Sequence, residues 1–166
     1  MIGDRWGVSD AEVARTYPCD AVVRDPVLAA WRGVTVRAEP DQVWPWVTQI
    51  RLAPYSYDWL DNLGRRSPRT LVAMPEPAVG DPFTSSPCGR PQGELLALDP
   101  PHALTGRIMG AVMSYVLVPA PGRTTRLLLK IVMARGRALA PFVSVGDLVM
   151  ARRQLLTLRD LAEHAA

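Results

Sequence analysis

Five adjacent residues, Tyr55-Ser56-Tyr57-Asp58-Trp59, bring together two phenols, a hydroxyl, a carboxylate and an indole. A phenol such as Tyr57 or Tyr55 can donate a hydrogen bond to a substrate carbonyl, and Asp58 can serve as a base or orient the donor. The same stretch also reads as the start of a short helix over Tyr57 to Leu63, stopped by Gly64, with Asp58 favoured there as a cap and by the helix dipole. Glu94 alternates with Leu96 and Leu98, so a core beneath those leucines would hold a carboxylate at its edge, a candidate acid or base. Arg107 and Tyr115 lie in the next two strand-like runs. An inward Arg107 would anchor a carboxylate or enolate, because a buried guanidinium left unpaired is costly. The structural alternative for both charges is a strand surface facing water.

Other chemistries lack their residues. His102 follows Pro100-Pro101 in a turn and His164 lies at the chain end, so neither centres a nucleophilic triad. There is no Gly-Lys-Ser/Thr phosphate loop, no Gly-x-Gly-x-x-Gly after a strand and no group at metal-ligand spacing; no metal or cofactor is implied. The net charge of +3, from 19 basic and 16 acidic residues, is scattered and gives little ground for a nucleic-acid partner. Lys130 is the only lysine, a skew that reads as GC-rich codon usage rather than phosphate recognition. Cys19 and Cys88 lie far apart and read as two free buried thiols rather than a disulfide. The charged first ten residues do not form a secretory signal. The nearly uncharged stretch Ile108 to Gly122 is shorter than the roughly 20 residues of a membrane span. No membrane span and a cytoplasmic location are expected.

At 166 residues, 48% of them apolar, the chain suits one domain with a sizeable core. Residues 1–30 read as an arm, with a helix from Ser9 to Thr16 capped by Ser9 and Glu12 and ended by Pro18. The domain proper is expected over 31–166. A strand from Trp31 to Ala38 places Val34 and Val36 on one face, and Pro40 then opens a helix to Ile50 with Val43, Trp44, Val47 and Ile50 at helical spacing. After an irregular stretch from Arg65 to Pro91, four runs alternate as strands: Gln92 to Leu98, Leu104 to Met109, Val112 to Val118 and Thr125 to Ala134. In the last, Leu127, Leu129, Ile131 and Met133 share one face and Arg126 and Lys130 the other, as in a sheet wet on one side. A helix from Pro141 to about Glu163 carries the stripe Leu148, Ala151, Leu155, Leu158 and Ala162, with Arg152, Arg159 and Glu163 facing away. The order predicts an α+β fold in which the long helix covers the apolar face of an antiparallel meander.

Several segments resemble the START-like, Bet v 1-like helix-grip superfamily (SRPBCC), in its bacterial polyketide cyclase/dehydrase and lipid-transport-like branch. They are Tyr55-Ser56-Tyr57-Asp58-Trp59-Leu60-Asp61-Asn62-Leu63, the opening from Val34 to Val47, the strand Thr125 to Leu129 and the helix start Asp147 to Leu156. Relatives commonly carry a glycine-rich stretch before the Tyr-Ser-Tyr-Asp-Trp motif, whereas this chain reads Gln49-Ile-Arg-Leu-Ala-Pro54. The resemblance implies a curved antiparallel sheet wrapped around the C-terminal helix and enclosing a hydrophobic cavity.

On that reading the chain binds a small hydrophobic molecule. The walls would include Trp44, Tyr55, Trp59, Leu96, Tyr115, Leu129, Ile131, Met133, Leu148 and Leu155, with Tyr57, Asp58, Arg107 and Glu94 as catalytic candidates. Three functions stay open. One is cofactor-free cyclisation, dehydration or isomerisation of a polyketide- or terpenoid-like intermediate, and another is non-enzymatic binding or carriage. The third is a homodimeric interaction module using the sheet edge or the arm.

Overall fold

A computed structural model of the chain describes residues 3–57, 63–64, 66–86, 88–134 and 140–165, the side chains of 140–148 excepted. The fold is α+β, and its main sheet has six strands in the order β1-β2-β8-β7-β6-β5. These are β1 (Arg5–Trp6), β2 (Leu28–Val36), β5 (Glu94–Asp99), β6 (Ala103–Ile108), β7 (Ala111–Ala120) and β8 (Thr124–Met133). A two-stranded ribbon, β3 (Thr84–Ser85) with β4 (Pro91–Gln92), stands apart from it. The helices are α1 (Asp10–Val13), α2 (Pro18–Val22), α3 (Pro40–Thr48) with a 3-10 turn at Gln49–Arg51, and the long C-terminal α4 (Ala140–Ala165).

Strands β5 to β8 and β2 pair antiparallel, as their alternation predicts, but β1 runs parallel to β2 and makes the sheet mixed. The inner face carries Val34, Val36, Leu104, Tyr115, Leu117, Leu127, Leu129 and Ile131, packed with α3 and with Ala151, Leu155, Leu158 and Ala162 of α4. Pro40 sits in the first turn of α3, and Pro45 lies inside that helix. Trp46, absent from the expected stripe, is as buried as its neighbours. Glu163 does not simply face away: it accepts from the Arg37 backbone N–H and pairs with its guanidinium, tying the end of α4 to the end of β2.

Beneath the arm the outer face is not wet. Ser9 caps α1 with Glu12 in the reciprocal arrangement its sequence announces. Pro18 does not end the arm's structure; it opens α2, where its missing N–H costs nothing. Tyr17 and Cys19 then pack on Val112, Val116, Leu128 and Val132 in a second core. The two cations expected in water are engaged by the arm. Arg126 pairs with Glu12 at 2.7 Å, and Lys130 pairs with Asp20 at 2.5 Å over the rings of Tyr17 and Trp31. Ser114 accepts the Cys19 backbone N–H and bonds Thr105, so the buried hydroxyls of this face are satisfied. Both cysteines are free, but only Cys19 is buried; Cys88 is exposed.

Candidate functional site

The inner face and α4 do not close on each other everywhere. Between them lies a partly open pocket of about 580 Å³, a volume suited to a small organic molecule. The sheet supplies Ile108, Ala111, Met113, Tyr115, Ile131 and Met133, every second residue of its strands, and α4 supplies Met150, Ala151 and Gln154. Ile50, Pro54 and Ser56 form the wall after α3, and Phe83 to Ser86 form the remaining side.

That last wall belongs to the irregular connection and is held in place from several sides. The Thr84 hydroxyl donates to the Ile50 carbonyl and the Ser85 hydroxyl to that of Arg51, while Leu95 N–H donates to the Asp81 carbonyl. Phe83 lies directly over Gly106, where a Cβ would stand 2.1 Å from the ring; only glycine admits it there. The ring then sits 6.4 Å from that of Tyr115, inside the pocket.

The directed polar groups are neutral. Tyr115 Oη donates to Gln154 Oε1 at 2.6 Å, and Gln154 Nε2 donates to the Pro54 carbonyl at 2.6 Å. This chain joins β7, α4 and the segment after α3 at one wall. Ser56, Thr84, Ser85, Ser86 and Gln92 add further hydrogen-bonding groups, and none of the described lining residues is an acid, a base or a histidine. The described groups whose proton affinity the fold shifts lie elsewhere. Burial pushes the Tyr17 phenol up to about 12 and raises the Cys19 thiol. The hydrogen bond from Arg126 holds Glu12 below the usual carboxylate range. Burial opposes ionisation of Glu163, yet the Arg37 N–H and guanidinium outweigh it and lower its value. Each of these belongs to a structural contact. Among the described residues no group of three or more His, Cys, Asp or Glu is placed to hold a metal ion.

Of the residues singled out by sequence, Tyr115, Ile131 and Met133 stand on the pocket wall. Leu129 and Leu155 are fully buried in the inner core without reaching the pocket surface. Tyr55, expected at the cavity mouth, is 1% exposed and its oxygen accepts from Gln49 Nε2 within the core. Trp44 lines a separate groove of about 290 Å³ beside the extended segment Leu71 to Pro77. Tyr57 is half-buried next to Ser56 but is not part of the wall. Asp58 and Trp59 lie outside the described residues, as does the side chain of Leu148.

Glu94, Arg107 and Leu96 need correction. The register of β5 against β6 shifts between Leu95 and Ala97, a bulge that breaks the alternation on which their inward placement rested. Leu95 and Leu98 pack with the inner core, whereas Leu96 packs against the second core on the arm side. Glu94 and Arg107 stand opposite each other across the strands and pair at 2.9 Å, about half exposed and away from the pocket. Gln154 and Phe83 are the functional candidates that sequence reasoning missed. Gln154 had a signal: it falls three residues after Ala151 and four before Leu158, on the buried stripe of α4. Phe83 had none, since it sits in a Pro/Gly/Ser-rich connection.

No protein-family model and no curated protein matches this sequence. The fold is nevertheless shared with solved structures. A Mesorhizobium loti protein superposes with a TM-score of 0.55 at 20% identity, over 83% of this chain and 98% of its own. A Rhodobacter sphaeroides protein does so at 0.56 and 18% identity, over 84% and 95%. A solution structure from Arthrobacter aurescens gives 0.56 at 14% identity, over 84% and 88%. At such identities the likeness is one of fold, and function has to be argued from the site. No helix among the described residues is long and apolar enough to cross a membrane.

Proposed function

We propose that this chain is a helix-grip protein of the START-like type that binds a small hydrophobic molecule between the sheet and α4. The observation that carries this reading is the pocket of about 580 Å³, its walls mostly apolar and its polar groups gathered at Tyr115, Gln154 and the loop Thr84 to Ser86. Apolar walls supply affinity through surface removed from water, and a few directed hydrogen bonds fix orientation. Binding or carriage is favoured over catalysis because Glu94 and Arg107 pair with each other outside the pocket. One observation supports cofactor-free cyclisation, dehydration or isomerisation as the second reading. Gln154, whose Nε2 carries a second proton besides the one given to the Pro54 carbonyl, stands on a mostly apolar wall, where a donor polarises a carbonyl more strongly than in water.

The test is native mass spectrometry of protein purified without denaturant, followed by denaturation and identification of what is released. A stoichiometric apolar compound supports the reading, and its loss in Met113→Trp, which fills the pocket, places it there. If the protein is empty and also fails to bind the neutral fluorophore Nile red, the reading falls. Conversion of the compound's precursor on return to the protein would establish the catalytic reading.

A further inference from the structure

The hydrogen bonds around Gln154 specify the chemical class of the ligand, an inference that rests on the pocket being a binding site. The carbonyl of Pro54 can only accept, so the amide must turn Nε2 toward it and Oε1 toward Tyr115. Tyr115 must then donate, and its one proton is committed to Gln154. The amide nitrogen carries two protons and Pro54 takes one. Gln154 lines the pocket, so its second N–H is a neutral donor within an otherwise mostly apolar wall.

We propose that the pocket selects an uncharged, largely apolar molecule bearing an oxygen acceptor, such as a ketone, ester or alcohol, which takes the second Nε2–H of Gln154. A neutral acceptor loses little hydration on entry and regains a hydrogen bond. A carboxylate would surrender its full hydration shell for one neutral donor, with no cation among the described lining residues to compensate it. An ammonium group faces the mirror cost: the described lining residues include no carboxylate to compensate it.

The experiment is displacement of Nile red at pH 8 by three ligands of equal chain length, decan-2-one, decanoate and decylammonium. The ketone is expected to bind about tenfold or more tighter than either ion. Gln154→Leu should weaken the ketone about threefold to tenfold, the worth of one neutral hydrogen bond. Gln154→Lys should turn the preference toward decanoate. Equal or tighter binding of decanoate to the unaltered protein overturns the proposal, as does a folded Gln154→Leu with undiminished ketone affinity. Either result leaves the pocket intact as a hydrophobic site. Failure of Nile red and all three ligands to bind overturns the pocket reading and this inference with it.

Discussion

The two faces of the sheet are built from the same strands and end differently. On the outer face Leu128 and Val132 meet Tyr17 and Cys19 of the arm, and the charges between them are paired with Glu12 and Asp20. On the inner face Leu127, Leu129 and Leu155 are closely packed, yet one end of the same surface, from Met113 and Tyr115 to Met133, borders open space. The arm seats Tyr17 and Cys19 in the outer core and sets Glu12 and Asp20 against Arg126 and Lys130. On the inner face part of the pocket wall is supplied by Phe83 and its loop. Close packing beneath the arm and a pocket on the opposite face support the inner face as the binding side proposed above.

The sharpest way to break this contrast is to remove equal bulk from both faces. Leu128→Ala should cost about 2–5 kcal/mol, because its neighbours close around a fully buried side chain. Met113→Ala, at the edge of existing space, should cost about 1 kcal/mol or less. Urea unfolding measures both, and equal losses would mean the pocket wall is packed like the rest of the core. Next in size is the arm's clasp. Lys130→Met keeps the stem but leaves Asp20 without its cation, at an expected cost of about 1–2 kcal/mol because Asp20 is partly solvated. A neutral result in the same unfolding assay would show that apolar contact alone holds the arm.

Met113→Trp adds bulk where the structure has room, so stability should change by less than about 1 kcal/mol while Nile red binding disappears. A large loss of stability would mean the space is not there to fill. The smallest effect concerns acid. Glu12 has a folded value held below its unfolded one by Arg126, so its contribution is present above about pH 4.5 and is lost as pH falls through the lower folded value. Because both side chains reach solvent, the change should stay under about 1 kcal/mol. It should be absent in Glu12→Gln; a stability profile between pH 2.5 and 6 that is the same for both proteins would detach the arm's hold from this pair.

Local rules made much of the molecule legible. The Ser9 cap, the strand alternation of β7 and β8, and the stripe Ala151, Leu155, Leu158 and Ala162 depend on residues a few positions apart, and their physics is complete within a turn or a strand. The inward face of Tyr115 follows from the same period of two. The failures share a cause. One extra residue at the bulge reversed Leu96 relative to Leu98, and alternation cannot announce a bulge that pairing with β6 creates. Arg126 and Lys130 looked solvent-bound because the carboxylates that hold them lie more than a hundred residues earlier.

Sequence by itself determined the long strands β2 and β6 to β8, the helices α3 and α4 and the apolar stripe of α4, because those choices are settled by near neighbours. The tertiary structure decided where the apolar surface would be left incomplete. It set Gln154 against Tyr115 and Pro54, 39 and 100 positions away, and laid Phe83 on Gly106. A pocket is space that several elements fail to fill, and that is fixed only when their lengths, crossings and loops meet.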